Sequence, residues 1–253
     1  MSDFNRNAAA RGGFADRAAA VDAGLRAYML RVYNYMAAAV ALTGVVAYAT
    51  FNAATVADAS GRLTLTPFGQ TIYSGPLSIV LLLGTLGLVF FISFRINRLQ
   101  YTTAMTLFMV YAALLGVTLS SIFLVYTGAS ITRVFFISAA SFGALSLYGY
   151  STQRDLSAMG SFMIMGLFGI IIASLVNIFL KSSGLDWAIS IIGIGVFAGL
   201  TAYDTQRLKN EYVYGAMEGD VMERSAIMGA LSLYLDFLNL FTMLLSLLGS
   251  RDE

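Results

Sequence analysis

Seven charge-poor apolar stretches alternate with short polar segments along the chain, near residues 32–51, 77–94, 104–126, 134–150, 158–180, 187–203 and 225–249. A helix crossing the hydrocarbon core needs about 20 apolar residues, with a range of about 17–25. Lipid offers no hydrogen bonds, so each span must satisfy its own backbone, which a helix does. The stretches are continuous and do not alternate as lipid-facing barrel strands would. Pro76 stands just before the second stretch, where proline suits a first helical turn. Pro67 falls in a connection read as a loop. The pattern predicts an all-α integral membrane protein with seven transmembrane helices over 32–249, a polar tail at 1–31 and a short tail at 250–253.

The tail holds Arg6, Arg11, Arg17 and Arg26. It is not read as a signal peptide, because the apolar stretch comes late and runs full length. Val21, Leu25 and Met29 recur at roughly helical spacing, which predicts a helix lying on the membrane surface before the first span. Gly-Ala-Leu-Ser-Leu-Tyr occurs at 143–148 and again at 229–234, but the likeness extends no further, so no internal repeat is inferred.

Composition agrees with the pattern and narrows the chemistry. Hydrophobic residues make up 58% of the 253 and charged residues 11%, against about 45–50% and about 25% in soluble domains. A net charge of +1 leaves no basic field for nucleic acid. There is no cysteine and no histidine, which removes disulfides, thiolate or imidazole metal sites, the Ser-His triad and the usual proton shuttle. No cofactor and no metal are called for.

Basic residues set the expected orientation. With the amino terminus cytoplasmic, that side holds Arg6, Arg11, Arg17, Arg26, Arg31, Arg95, Arg98, Arg154, Arg207, Lys209 and Arg224, and the other side holds Arg62, Arg133, Lys181 and Arg251. This eleven-to-four bias predicts a cytoplasmic amino terminus, a cytoplasmic 207–224 loop and a carboxyl terminus on the far side.

One residue breaks the apolar pattern. Asp236 lies eleven residues into the last stretch, about 16 Å at 1.5 Å per residue. An aspartate at that depth costs about 2.5–3.5 kcal/mol on insertion scales. At 100° per residue it shares a face with Gly229, Ser232, Asn239, Met243 and Ser246, while Leu231, Leu238 and Leu245 lie opposite. The polar stripe is expected to face the interior, with the leucines nearer lipid or apolar packing. Such a stripe serves either as hydrogen-bonding glue between helices or as a functional site.

Asp204 stands at the end of the sixth stretch, in a helix that also carries Gly195 and Gly199 at small-xxx-small spacing. Two roles fit it. It is a boundary acid pairing with Arg207 at i,i+3, or it faces Asp236, in which case the two carboxylates share a proton and titrate as a unit. Arg95 and Arg98 end the second stretch on the same side, either snorkelling to headgroups or reaching a carboxylate.

The segments around Tyr203-Asp204 and Ala230-Leu-Ser-Leu-Tyr-Leu-Asp236-Phe-Leu-Asn-Leu-Phe241 resemble the Bax inhibitor-1, or transmembrane Bax inhibitor motif, family and its bacterial YccA-like branch. Phe142 to Asp155 looks like the alphaproteobacterial form. The resemblance spans roughly 32–249. It implies a last helix enclosed by the other six, and a pH-sensitive hydrogen-bonded pair matching Asp204 and Asp236. It also implies a basic residue ending the second helix that contacts the pair, matching Arg98 or, one turn away, Arg95. The implied function is a pH-dependent leak of a cation, calcium, across the bacterial inner membrane. The alternative is a non-enzymatic regulator of a membrane-bound ATP-dependent protease, with the tail and the 207–224 loop as contact surfaces. Some members carry an acid within the second helix, and this chain has none between 77 and 94. An intramembrane aspartyl protease is set aside, since Asp236 follows Leu-Tyr-Leu where such enzymes carry Gly-x-Gly-Asp.

Overall fold

The computed structural model describes residues 2–58, 62–215 and 219–251, with side chains from Val21 onward except that of Tyr214. Among these, seven helices are long and apolar enough to cross a membrane. Helix α1 runs Ser2–Ala54. A two-stranded antiparallel hairpin follows, β1 (Thr55–Ala57) with β2 (Leu63–Leu65), in the register Thr55 to Leu65 and Ala57 to Leu63. The short α2 (Pro67–Tyr73) precedes α3 (Pro76–Arg95), whose end tightens into a 3₁₀ turn at Ile96–Arg98. Then come α4 (Tyr101–Leu119), extended by a 3₁₀ turn at Ser120–Leu124, α5 (Gly128–Ser151), α6 (Ser157–Leu180), α7 (Ser183–Gly215) and α8 (Gly219–Leu248). The spans are thus α1 and α3 to α8. Their alternation gives the bundle a basic end, holding Arg26, Arg31, Arg98, Arg154, Lys209 and Arg224, and a hairpin end.

Local chemistry sets the boundaries. Pro76 occupies the first turn of α3 as expected. Pro67 does the same for α2, so the expected loop is a helical turn there; Thr66 caps it by accepting from the Gly69 amide at 3.1 Å. Thr127 caps α5 in the same way through the Ser130 amide. Helix α6 stops where Lys181 adopts φ 49°, the left-handed cap conformation. Between α5 and α6, the Ser157 side chain and the Ser157 amide, the latter at 2.9 Å, both bond the Asp155 carboxylate and hold its pKa below the ordinary value.

Two sequence expectations change here. The segment over 15–30 is not a separate surface helix: α1 runs unbroken into the first span, and Leu25, Tyr28 and Met29 are buried in the bundle core. Its apolar spacing is the amphipathic pattern of a helix packed on protein. Arg6, Arg11 and Arg17 have side chains outside the described residues. Helices α7 and α8 also run well past their apolar stretches, so Asp204 sits inside a continuous helix with about three further turns after it.

Helix α8 is the core of the molecule. It packs against α1, α4, α5, α7 and the turn that ends α3. Helix α6 packs on the outside of α7, and α3 on α4. The carboxyl-terminal tail is pinned at the hairpin end, where the Ser250 amide donates to Ser130 Oγ at 2.9 Å and the Thr127 amide donates to the Ser250 carbonyl.

Candidate functional site: a buried carboxylate pair between the last two spans

The polar stripe of α8 meets α7 along its length in antiparallel register. Gly229 lies against Leu208, leaving no room for a side chain, and Met243 lies against Gly193. Arg207 Nη2 donates to Ser232 Oγ at 3.3 Å, and Ser190 Oγ donates to Ser246 Oγ at 3.0 Å. Asp236 falls between these contacts. It is 5% exposed, and its Oδ2 is buried without a hydrogen-bond partner. Across the seam Asp204, 8% exposed, stands near enough for its charge to act on Asp236. No hydrogen bond joins the two carboxyl groups in this structure.

Arg207 supplies the positive charge. Its Nη1 lies 3.2 Å from Asp204 Oδ1, and its Nε lies 3.4 Å from Glu211 Oε1 without a hydrogen bond. The guanidinium also covers the Tyr203 ring at 5.9 Å. One cation therefore ties two acids of α7 to a serine of α8, one turn before Asp236. Burying a carboxylate without such a partner is strongly unfavourable.

Neighbouring polar groups fix this stretch of α7. Thr205 Oγ1 bonds Ser146 Oγ of α5 at 2.9 Å, and Ser146 in turn bonds the Tyr33 hydroxyl of α1. Gln206 accepts from the Leu156 amide at 2.8 Å and donates to the Arg154 carbonyl at 2.7 Å, so the α5–α6 loop is tied to the turn carrying Asp204.

Of the two roles open for Asp204, the i,i+3 pairing with Arg207 is present; Asp236 lies across the seam from it. Arg95 and Arg98 are exposed at the end of α3, and neither makes an ion pair with an aspartate among the described residues. The 3₁₀ turn that ends α3 buries Ile96 and turns both arginines outward. Arg207 takes the place expected for them. Glu211 was not foreseen, although Asp204, Arg207 and Glu211 at i, i+3 and i+7 share one helical face.

On α8 Asp236 is buried as expected and the three leucines sit in apolar packing, but the rest of the polar stripe is less covered than expected. Leu231, Leu238 and Leu245 are 2%, 8% and 1% exposed, whereas Ser232 and Asn239 are half-buried and Ser246 is exposed. Helix α8 is packed by neighbours on several sides, and it is least covered along Met228, Ser232, Leu235, Asn239 and Ser246. Asn239 Nδ2 turns back to donate to the Leu235 carbonyl at 2.8 Å.

The stripe runs between two cavities that carry polar and charged groups. At the basic end, about 560 Å³ is lined by Asn97, Glu211, Arg224 and Ser225 among others. At the hairpin end, about 480 Å³ is lined by Ser174, Asn177, Lys181, Asp186, Ser190 and Ser246 together with apolar neighbours. There the Asn177 amide donates to Asp186 Oδ1. No group of three or more acidic residues able to hold a metal ion occurs among the described residues.

A bundle of seven apolar helices, the last packed among several others and carrying a buried acid, defines an integral membrane protein with an ionisable core. The family model for the inhibitor of apoptosis-promoting Bax1 matches residues 25–253, and the chain belongs to this family, Bax inhibitor-1. It is 46% identical over 231 residues to the inner membrane protein YbhL of Escherichia coli K12, covering 90% of this chain and 94% of that one. An uncharacterized protein of Rickettsia prowazekii is 52% identical over 232 residues, covering 92% and 93%. Another, from Caulobacter vibrioides, is 43% identical over the full length of both chains.

Proposed function

We propose that this protein is a non-catalytic, pH-sensitive cation leak pathway of the bacterial inner membrane, gated by Asp204 and Asp236, with calcium as the permeating ion and the amino terminus cytoplasmic. The observation that carries the reading is the unpartnered Oδ2 of Asp236, buried mid-seam beside an acid that is itself held by Arg207. An intramembrane acid left with spare bonding capacity marks an ion or proton path. The polar side chains of α8 between the two end cavities give that path a course.

The gate follows from competition. Arg207 can hold Asp204 ionised, or Asp204 and Asp236 can share one proton across the seam. The first arrangement pins α7 to itself and to Ser232, and the second joins α7 to α8 at the level of Asp236. Protonation selects between two packings of the same helices.

Calcium flux into proteoliposomes across a pH series tests this. The wild-type protein should show flux above protein-free vesicles with a pH-dependent rate. Asp236→Asn and Asp204→Asn should each flatten that dependence. Arg207→Gln should move its midpoint, while Arg98→Gln should leave it in place. Unchanged pH profiles in both aspartate variants, or no flux above protein-free vesicles, would overturn the proposal.

A further inference from the structure

Helices α1 and α5 both pack on α8, yet they do not pack closely on one another. The seam between them holds two apolar cavities stacked along the bundle. One of about 460 Å³ lies toward the hairpin end, floored by Leu238 and Phe241 of α8. The other, of about 510 Å³, lies toward the basic end, with Met29 and Leu30 of α1 and Phe142 and Leu147 of α5 among its walls. Leu30 and Leu147 are exposed, so this slot opens sideways toward the surroundings of the bundle, not into its core.

Gly143 lines the second slot, and a Cβ added there would meet nothing within 4 Å. A glycine inside a helix costs about 1 kcal/mol relative to alanine, and here no close helix approach requires it. Gly149, two turns on in α5, is different, because it sits directly against the backbone carbonyl of Ala202. At Gly143 the missing side chain does one thing, which is to keep the slot deep.

The slot is charged at its basic end only. Arg26 lines it there, is exposed, and makes no ion pair among the described residues. Tyr150 lines the same end, and Lys209 Nζ stands over its ring at 5.8 Å while donating to its carbonyl at 2.7 Å. Tyr33 and Ser146, bonded to each other, also line the slot; a largely apolar slot of several hundred Å³ with a few polar groups is the usual form of a ligand site. With two cations at the headgroup level, the complementary ligand has an acyl chain and a negative head.

We propose that the slot between α1 and α5 binds an acyl chain of an anionic phospholipid whose phosphate is held by Arg26. The occupant comes from the surrounding bilayer. The site stands apart from the gating reading, because its walls and charge are present whether or not the aspartates conduct.

Native mass spectrometry of the full chain, purified in mild detergent and titrated with phosphatidylglycerol or phosphatidylcholine of identical chains, tests it. The wild type should retain one lipid, with phosphatidylglycerol favoured about fivefold, the effect of one basic residue near a membrane surface. Gly143→Leu should lose the retained lipid of either kind. Gly169→Leu, on the open face of α6 where a Cβ also meets nothing, should keep it. Arg26→Gln, at an exposed position that packing does not depend on, should keep a lipid but lose the headgroup preference. Retention in Gly143→Leu equal to wild type, equal retention of the two headgroups by wild type, or an unchanged preference in Arg26→Gln would overturn the proposal.

Discussion

Arg207 shows how one guanidinium organises the site. Its nitrogens face oxygens of Asp204, Glu211 and Ser232, so a single side chain spans two helices. The flat, five-donor fork of arginine suits this, and a lysine could not hold all three at fixed angles. A second residue of this kind is Tyr234, fully buried on α8 two positions before Asp236. Its hydroxyl lies 2.6 Å from Thr43 Oγ1, which itself lies 2.9 Å from the Ala39 and Ala112 carbonyls, so three helices meet at one polar point. Tyr234→Phe removes one hydrogen bond and keeps the ring contacts with Phe108 and Tyr111. The expected loss is about 1 kcal/mol in reversible unfolding from detergent, and no loss would show that the hydroxyl is not part of the packing. Asp236 was legible in the sequence because a carboxylate within an apolar run carries a cost that either helix packing or a function must offset. The Asp204–Arg207 pair was legible as i,i+3 spacing. That Arg207, and not Arg98, serves the pair was not legible, since it depends on how the end of α3 turns.

Among the elements, the α5–α6 connection is short, and its geometry is transmitted to α7 through Gln206. Asp155 starts α6 by accepting from the Ser157 amide, a charge-assisted bond at the positive end of a helix. A carboxyl whose folded pKa is lowered stabilises the fold above its unfolded value near 3.9 and ceases to do so as pH falls through the folded value. Asp155→Asn should therefore lower the thermal unfolding temperature at neutral pH. The gap from wild type should close as the pH drops below the ordinary carboxylate range. A gap independent of pH would show that the charge plays no part. The helices themselves were legible from their apolar lengths, because lipid leaves the backbone no other choice. The short α2 and the hairpin before it were not, since their few residues carry no periodicity and their capping is read only from backbone geometry.

For the whole molecule, the distribution of polar groups distinguishes α8 from the other spans. Periodicity identifies the polar face of a helix, but it does not count the neighbours around it. The leucine side of α8, expected nearer lipid or apolar packing, is its best-covered face, while Ser246 opens into a cavity at the hairpin end. The result is a core helix whose partly open side runs past Asp236 between two cavities that carry charged groups. The central claim is that Asp204 and Asp236 act as one titrating unit within that seam. Infrared difference spectra of the protein in lipid bilayers, recorded across a pH series, test this most directly. The account predicts a protonated-carboxyl band that titrates in the wild type and disappears in both Asp204→Asn and Asp236→Asn. The same titrating band persisting in both variants would contradict it, and the aspartates would then serve only to hold the helices together.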